Sequence, residues 1–578
     1  MSLTRRGATA LGLAAVASQA TAATGPDAAF EALGKSYVDF IAQSSPSNAT
    51  TLGDHRFDTL VDDVSDAARR KRGAERKALL AKFEAIRPVS LSRANQVDHA
   101  LVLADIRADI WRDEVLQSWA WDPQIYNNIA GGLLYGLMQR DFAPAPVRVR
   151  AAIARMQALP RLFEQTRAIL DPARVPRIHA ETVARQNQGI VSIVNDMIMP
   201  AAEKLPVADK VRLRAANDAL TLAIIDHQQW LDQTLVPNAK GDFRIGARLF
   251  DQKLAFSLAS PMSRAEIRAA AEKALRDARA EMAALSRQIL GANLPAGADE
   301  QKAIEAGLAV VTRDHPPKAE LFNSARAAMR QAEAYLRSHD IVTMPDAPID
   351  VIEMPEFQRG SSVAYCDSPG PLEPHLKTFY AIAPIPADWT EAQAESFLRE
   401  YNRLAQHDIG IHEAMPGHYV QLWHANRYPS TLRAVLQSGS FIEGWGCYAE
   451  DMMSKTDYLG RDPKFRLQVL KTRVRTITNA ILDQMVHVDG ASRDEVMRFL
   501  TVTAFQEERE AAGKWVRAQL SSTQLSTYFV GVTEHDNLRA EAEKRLGFNL
   551  KAYHDKALSY GSPPVRYVRQ LMFDLPIA

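Results

Sequence analysis

The sequence predicts a mainly α-helical protein with a large two-lobed body, a deep cleft and a small β-sheet. First, 578 residues are too many for one small hydrophobic core, so we expect two or more lobes around a cleft. Second, apolar residues recur at intervals of three and four from Asp27 to about Arg337, which is the period of amphipathic helices. Third, a stretch between Val342 and Pro386 is rich in proline and in residues that favour strands.

Residues 1–22 have the pattern of a signal peptide. Arg5 and Arg6 precede a short apolar run from Ala8 to Ala17, and Ala20-Thr21-Ala22 follows as a cleavage site. The apolar run is too short to span a bilayer, and no later segment approaches the roughly 20 residues that a spanning helix requires. We therefore expect a periplasmic or secreted protein with no membrane anchor. The two arginines fit either twin-arginine export or the charged start of an ordinary signal.

Residues 23–341 are predicted to form a helical N-terminal region. Ser263 begins a capping box with Glu266, ahead of a helical run that reaches about Leu290. No repeat of fixed period is present, which argues against a solenoid. Proline interrupts the helical hydrogen-bond ladder, so we expect breaks at Pro144, Pro146, Pro160, Pro200 and Pro261.

Residues 342–578 are predicted to contain short strands followed by helices, in one integrated fold with the preceding region. Such a small sheet is either a structural ribbon or an exposed strand edge that binds an extended peptide. After Thr390, which forms a second capping box with Gln393, the chain is predicted to be helical to its end. The predicted strands are Ile349–Glu353, Ser361–Cys366 and Leu376–Ala383, and the later helix breaks are near Pro429, Gly460, Gly490 and Pro563.

Charge and cysteine content argue against several classes of protein. Lys plus Arg and Asp plus Glu both number 69, so no overall field would draw the chain to nucleic acid or to an anionic membrane. The two cysteines are Cys366 and Cys447. Disulfides therefore cannot be the main source of stability, whether or not these two residues pair.

The segment Gly410–Gln421 carries two histidines and a glutamate in a variant of a metal-binding pattern. In the His-Glu-x-x-His pattern, two histidines four residues apart bind zinc from one helical face and the glutamate polarises a water molecule. Here His412 and His418 are six residues apart, so an unbroken helix would point them in different directions. Pro416-Gly417 interrupts the helix. We expect the insertion to loop out and return His418 to the metal, with Glu413 as the general base.

The same segment would also fit a kinked core helix whose polar residues are satisfied by their neighbours. Its flanks are apolar, from Ile409 and Ile411 to Leu422 and Trp423, and both interpretations explain them. Burying unpaired polar groups costs several kcal/mol, and a core helix gives no reason for two histidines and a glutamate at these positions. The sequence therefore favours a Zn²⁺ site.

A third ligand should come from another element, because catalytic zinc commonly keeps three protein ligands and one water. Glu443 is the best candidate, since it lies in an apolar helical segment 25 residues beyond His418 and Pro429 allows the chain to turn back. Glu450 is seven residues further on, where it would either orient a zinc-bound imidazole or be an exposed helix-end carboxylate. Cys447 could be a ligand, although a free cysteine is more often a small buried apolar residue.

These segments resemble the bacterial domain-of-unknown-function 885 family, whose motif His-Glu-Ala-x-Pro-Gly-His is followed by Glu-Gly-Trp and a further Glu. The similarity covers most of the chain and is densest from Tyr380 onward, including Asn537-Leu538-Arg539 and Gly561-Ser562-Pro563-Pro564. Many relatives have a second histidine where this chain has Tyr419, which leaves the metal ligands unchanged. The family in turn resembles the helical gluzincin peptidases, such as thimet oligopeptidase and carboxypeptidase Taq. This resemblance implies Glu443 as the third ligand and a deep cleft between helical lobes.

Tyr528 matches a tyrosine block of that family and resembles the transition-state tyrosine of the related peptidases. A phenol can donate a hydrogen bond to a developing oxyanion, whereas the alternative is a core tyrosine. Arg517 and Arg539 could bind a peptide carboxylate, although most helical arginines are surface partners. The other histidines near or downstream of the motif define no second metal site and are expected to be structural; they are His407, His424 and His554.

The expected function is zinc-dependent hydrolysis of short peptides, in which Glu413 takes a proton from a metal-activated water and Tyr528 stabilises the oxyanion. The same chemistry would serve an amidase or esterase that acts on a non-peptide substrate. A third alternative is a non-catalytic periplasmic binding protein that holds a metal for structure, with no open coordination position.

Overall fold

A computed structural model describes residues 25–355, 358–359, 362–545 and 547–577. Residues 1–22, predicted to be a signal peptide, lie outside the described residues. The described chain is mainly helical with one small three-stranded sheet, which confirms the predicted fold class. In these described ranges, no helix is both long enough and apolar enough to cross a membrane.

The chain ahead of the sheet consists of helices joined by short loops. These are α1 (Pro26–Ser44), α2 (Pro46–Leu52), α3 (Asp66–Glu84), α4 (Arg93–Trp111), α5 (Gln124–Met138), α6 (Ala145–Ile169), α7 (Arg177–Gln186), α8 (Gly189–Ile193), α9 (Met199–Ala201), α10 (Val207–Trp230), α11 (Val236–Asn238), α12 (Gly246–Leu258), α13 (Arg264–Leu290), α14 (Glu300–Thr312) and α15 (Leu321–His339).

The chain after the sheet is also helical to its end, as predicted. These helices are α16 (Glu391–Glu400), α17 (Arg403–Glu413), α18 (His418–Ala425), α19 (Thr431–Val435), α20 (Gly439–Ser454), α21 (Pro463–His487), α22 (Arg493–Arg498), α23 (Glu508–Leu520), α24 (Ser526–Glu543), α25 (Leu550–Leu558) and α26 (Val565–Met572).

Both predicted capping boxes are present. Ser263 precedes α13 and Thr390 precedes α16, and in each case the side chain accepts a hydrogen bond from the third residue of the helix, whose own side chain binds back to the cap. These reciprocal bonds satisfy backbone N–H groups that a helix leaves unpaired at its first turn. The local sequence therefore determined where both helices begin.

Two of the predicted proline breaks are wrong. Pro160 lies inside α6, where it costs about 3 kcal/mol. The residues around it, including Met156, Leu159 and Leu162, are almost completely buried, and burying each such side chain contributes about 1.5–3 kcal/mol, so packing outweighs the lost hydrogen bond. Pro200 lies in α9 directly after a π-helical turn, Val194–Ile198, which keeps the chain helical up to the proline.

The sheet contains β1 (Ile349–Glu353), β2 (Ala364–Asp367) and β3 (Thr378–Ile382), in the spatial order β1-β3-β2. β1 runs parallel to the central strand β3, and β2 runs antiparallel to it. The first strand has the predicted bounds, and the second lies closer to the C-terminus than predicted. β2 is therefore an edge strand of this sheet.

The hydrophobic core joins the two predicted regions. Helices α13 and α14 from the N-terminal region pack with α21 and α24 from the C-terminal region in one buried cluster. A second cluster combines α15, β1 and β3 with α17, α18 and α20. Residues on both sides of position 341 therefore stabilise the same cores, and the second cluster supports the helices that carry the candidate site.

Candidate metal centre and active site

The helix that carries the motif is interrupted between Glu413 and His418. Helix α17 ends at Glu413 and α18 begins at His418, so Pro416-Gly417 lies in the connection. The Gly417 N–H donates to the Ile411 carbonyl at 2.9 Å, and a Cβ at Gly417 would lie 1.9 Å from the His412 carbonyl oxygen. Only glycine fits so close to the end of the first helix, and this tight connection returns His418 to the side of His412.

A buried tryptophan of α20 fixes this connection. The Trp445 indole N–H donates to the Pro416 carbonyl at 2.9 Å, and Trp445 is 1% exposed. Because Trp445 lies two residues after Glu443, the same bond sets the position of α20 relative to the two histidines. The interrupted helix and the glutamate helix are therefore joined by a specific polar contact.

Glycines also let α20 approach α24 closely. A Cβ at Gly444 would lie 2.4 Å from the Gly531 carbonyl carbon, and a Cβ at Gly531 would lie 2.0 Å from the Ser440 carbonyl oxygen. The two backbones can approach so closely only because neither residue has a side chain. Glu443 precedes one glycine and Tyr528 lies one turn before the other, so this crossing brings α24 and its tyrosine near the candidate ligand.

His412, His418 and Glu443 form a compact group. The Glu443 Oε2 atom lies 3.6 Å from His412 Nε2 and 3.5 Å from His418 Nε2, and the three ligand atoms lie within 4.8 Å of one another. Metal–ligand distances near 2.1 Å in tetrahedral geometry separate two ligands by about 3.4 Å. The side chains are 14%, 10% and 25% exposed respectively. Two imidazoles and one carboxylate at this spacing therefore fit a Zn²⁺ ion with an open position.

Glu450 lies behind the histidine nearest to it. Its carboxylate forms a hydrogen bond with His412 Nδ1, and its side chain is 4% exposed. The spacing of seven residues in α20 places Glu450 on the same face as Glu443. A carboxylate in this position fixes the imidazole tautomer so that Nε2 points at the metal position.

The charges of the group act strongly on one another. Burial alone would raise the pKa of Glu443, but His412 and His418 outweigh it and hold that pKa well below its usual range. Burial alone would lower the pKa of His412, but the Glu450 carboxylate outweighs it and raises that pKa well above its usual range. The Glu443 carboxylate and the His412 imidazole therefore each favour the charged form of the other.

Cys447 belongs to an alternative group with His412 and Glu450. This set has only one histidine, and His412 Nδ1 is already bound to Glu450. Burial and the Glu450 carboxylate raise the pKa of the Cys447 thiol, which disfavours the thiolate that binds metal. Neither Cys447 nor Cys366 forms a disulfide.

The carboxylate of Glu413 is held by the edge strand. The Cys366 N–H of β2 donates to Glu413 Oε2 at 2.9 Å. Glu413 directly follows His412 in the chain, and α17 packs against β2. The bond fixes one carboxylate oxygen, and among the described residues no hydrogen bond is seen to the other, so the side chain can accept a proton through it.

Tyr528 is fixed by two side chains from neighbouring segments. Its hydroxyl accepts from Arg517 Nη2 at 3.1 Å and from Gln524 Nε2 at 3.4 Å. Burial and the nearby Glu443 carboxylate raise the pKa of Tyr528. The phenol therefore stays protonated at neutral pH and can donate its proton in a hydrogen bond.

The remaining sequence candidates have structural partners. Arg539 Nε pairs with Glu543 at 2.8 Å and its Nη1 donates to the Tyr448 hydroxyl at 3.1 Å. The three additional histidines each contact a tyrosine hydroxyl or a backbone carbonyl at 2.7–2.9 Å; they are His407, His424 and His554.

Sequence reasoning missed two contacts of the site. The first is the Cys366 backbone N–H. A backbone group does not depend on the side chain, so the type of residue at this position could not reveal the contact. The second is Gln524, which lies four residues before Tyr528, a spacing that would have suggested a contact. That signal was weak because Gln524 precedes the start of α24.

Comparisons with other proteins give a family and a fold. Residues 46–572 match the family model "Bacterial protein of unknown function (DUF885)". A "putative lipoprotein of unknown function" from Shewanella oneidensis is 32% identical, with a TM-score of 0.80 over 94% of this chain and 99% of that chain. A "putative lipoprotein" from Colwellia psychrerythraea is 15% identical, with a TM-score of 0.76 over 94% of this chain and 98% of that chain, which shows a shared fold. No curated protein matches the chain.

Proposed function

The chain belongs to the DUF885 family of bacterial proteins of unknown function, and we propose that it is a zinc-dependent metallopeptidase that hydrolyses short peptides. The observation that carries this proposal is the arrangement of His412, His418 and Glu443 around one point, with Glu413 beside it. A purely structural zinc site is commonly closed by four protein ligands, whereas three ligands leave a position for water. The resemblance of the motif to that of the helical gluzincin peptidases supports the same assignment.

Each side chain has a separate task in the proposed reaction. A bound Zn²⁺ supplies a Lewis acid that lowers the pKa of a water molecule and polarises a carbonyl. Glu413, fixed through one oxygen by the Cys366 N–H, accepts the proton of the attacking water and returns it to the leaving amine. Tyr528 donates to the oxyanion that forms on the substrate carbonyl. Glu450 keeps His412 in the tautomer that presents Nε2.

The edge strand supports a peptide as the substrate. The Ala383 N–H donates to the Val363 carbonyl at 2.8 Å, and the register continues with Tyr365 opposite Ala381. In an antiparallel ladder, alternate residues turn their backbone groups away from the partner strand. Ala364 and Cys366 are these residues, and the Cys366 N–H indeed binds Glu413. The Ala364 backbone therefore faces the side of the active site and can pair with an extended peptide.

An extracytoplasmic location is part of the proposal. The charged start, short apolar run and Ala-x-Ala site of residues 1–22 have the pattern of a signal peptide. The similar proteins from Shewanella oneidensis and Colwellia psychrerythraea carry the description "putative lipoprotein", which is in keeping with export. A periplasmic or secreted peptidase would act on peptides outside the cytoplasm.

The test is digestion of a mixed library of short peptides by the zinc-loaded protein, followed by mass spectrometry, beside a panel of small amides and esters. We expect peptide cleavage that stops when the metal is chelated and returns when zinc is added. Glu413→Gln is the inactive reference, and exposed Glu391→Gln is its matched control.

Cleavage of amides or esters alone would indicate the non-peptide hydrolase. Survival of every substrate with full zinc occupancy would indicate a metal-containing binding protein and overturn the proposal.

A further inference from the structure

A set of charged side chains lies between α21 and α23, beside the candidate active site. On α23, Glu510, Lys514 and Arg517 are separated by four and three residues, so they share one helical face. Helix α23 packs against α21, which contributes Lys471 and Arg475 to the same set. We call these residues, together with Glu400, the α23 charge cluster.

Two cations of the cluster have carboxylate partners and two do not. Lys471 pairs with Glu400 at 2.7 Å, and Arg475 pairs with Glu510 at 2.8 Å. Among the residues that the structure describes, neither Lys514 nor Arg517 forms a direct ion pair with a carboxylate. The cluster therefore contains more basic than acidic side chains, and the two basic side chains without a carboxylate partner lie on α23.

Lys514 is the unusual member because it is buried. It is 4% exposed, and within the described ranges its ammonium group forms no hydrogen bond. Burial and the positive charges of Arg475 and Arg517 lower the pKa of Lys514 well below its usual range. A buried amine without a counter-ion is costly, and an anion bound beside it would remove much of that cost.

One of these two basic side chains contacts a residue that would take part in the proposed reaction. Arg517 Nη2 lies 3.1 Å from the Tyr528 hydroxyl, and the negative charge of Glu443 contributes to the raised pKa of Tyr528. Lys514 is one turn from Arg517, a rise of about 4.5 Å along the helix. An anion held by both side chains would therefore lie near the Tyr528 hydroxyl, the proposed donor to the oxyanion. Arg539 is excluded from this role because Glu543 and Tyr448 already bind its guanidinium.

We propose that Lys514 and Arg517 form an anion subsite that binds a carboxylate of the peptide substrate and so determines which peptides are cleaved. The proposal rests on the proposed peptidase function. The carboxylate is either the C-terminus of the peptide or an acidic side chain near the scissile bond. In the first case, the protein removes residues from the C-terminal end of short peptides, and in the second it prefers acidic peptides of any length.

The test measures binding rather than turnover, so that it does not depend on catalysis. Zinc-loaded Glu413→Gln protein is titrated with four peptides: a neutral peptide with a free C-terminus, its C-terminal amide, and amidated forms with Glu or with Gln at one position. A charge-assisted hydrogen bond pair is worth about 10- to 100-fold in affinity. We expect an affinity difference of this size either between the free acid and its amide or between the Glu and Gln peptides. The pair of peptides that differs identifies the source of the carboxylate.

Variants then assign the preference to the subsite. Lys514→Met, made in the same Glu413→Gln background, should abolish the preference, and Lys514→Arg should retain it. Arg539→Gln is the matched control and should leave the preference unchanged.

Equal affinity for all four peptides would overturn the subsite, and so would a preference that survives in folded Lys514→Met. If Lys514→Met does not fold, the four-peptide comparison still decides. A preference for carboxylates in a protein that cleaves no peptide would overturn the proposed function but would still support the anion subsite.

Discussion

Glu413 and Glu443 are both glutamates of the candidate centre, but their surroundings differ. Glu443 lies between two imidazoles, with its Oε2 atom 3.5 and 3.6 Å from their Nε2 atoms. Glu413 has one oxygen bound to a strand N–H. A carboxylate that contacts two imidazoles is suited to be a ligand, and one that keeps a free oxygen is suited to move a proton. We therefore propose different roles for these two glutamates, because their neighbours differ.

Tyr528→Phe should lower turnover by about 10²- to 10³-fold with little change in substrate affinity, because it removes one donor to the oxyanion. Steady-state kinetics on a peptide found in the library screen would measure this. Tyr458→Phe is the matched control, since it removes a buried hydroxyl whose partner, His407, is not one of the proposed ligands or catalytic residues. Turnover equal to that of the unmodified protein would show that Tyr528 is only a packing residue.

The residues of the candidate centre were predictable because their types and spacing carry the chemistry. Two histidines and a glutamate in an apolar segment, followed by Glu-Gly-Trp, indicate His412, His418 and Glu443 from the sequence alone. The Cys366 N–H was not predictable, since a backbone group gives no sign in the sequence. Lys514 was not predictable either, because its burial and its lack of a partner depend on how α21 and α23 pack.

At the scale of elements, the interruption between α17 and α18 follows from proline and glycine chemistry. The sequence predicted that Pro416-Gly417 would loop out. In the structure, α17 ends before this pair and α18 begins directly after it. Pro160 shows the limit of the same reasoning. There the flanking residues are buried in the core, and their packing keeps the helix continuous. A proline therefore breaks a helix only where tertiary contacts do not outweigh the lost hydrogen bond.

Gly446→Ala should weaken metal binding more than it destabilises the fold. Its added Cβ would lie 2.7–2.9 Å from the His412 imidazole, so the ring must leave its present position beside the other two candidate ligands. In a helix interior, alanine is otherwise favoured over glycine by about 1 kcal/mol. We expect metal affinity to fall by about 10-fold or more, with thermal stability of the metal-free protein little changed.

Gly439→Ala is the control for this variant, since it lies in the same helix and its added Cβ would meet no atom within 4 Å. It should bind zinc as the unmodified protein does. Competition with a chromophoric chelator measures both affinities. Equal zinc affinity in Gly446→Ala and Gly439→Ala would contradict the placement of the His412 ring beside α20.

Ala364→Pro tests the edge strand. Proline removes an N–H that the ladder with β3 does not use, so the sheet should remain intact. The loss of one hydrogen bond to the substrate should raise KM about 2- to 10-fold for extended peptides. Ala364→Ser keeps the N–H and should behave like the unmodified protein. An unchanged KM in a correctly folded proline variant would mean that substrate does not pair with β2.

At the scale of the whole molecule, the helical class, the capping boxes and the position of the sheet were predictable from periodicity and local signals. The order β1-β3-β2 was not, because strand pairing depends on long-range packing. The shared core of α13, α14, α21 and α24 likewise unites segments far apart in the chain. Local sequence thus defined the elements, and tertiary contacts placed Tyr528 and β2 beside the motif.

The central claim is that the protein is a zinc enzyme in which Glu443 binds the metal and Glu413 moves the proton. The most direct test measures zinc content by elemental analysis and peptide turnover on the same preparations of three proteins: unmodified, Glu443→Ala and Glu413→Gln. Glu443→Ala should lose zinc and activity together at low free metal, because only two histidines remain. Glu413→Gln should keep zinc and lose activity by about 10²- to 10⁴-fold, since an amide cannot accept the proton. Full zinc occupancy in Glu443→Ala, or normal turnover in Glu413→Gln, would contradict the claim.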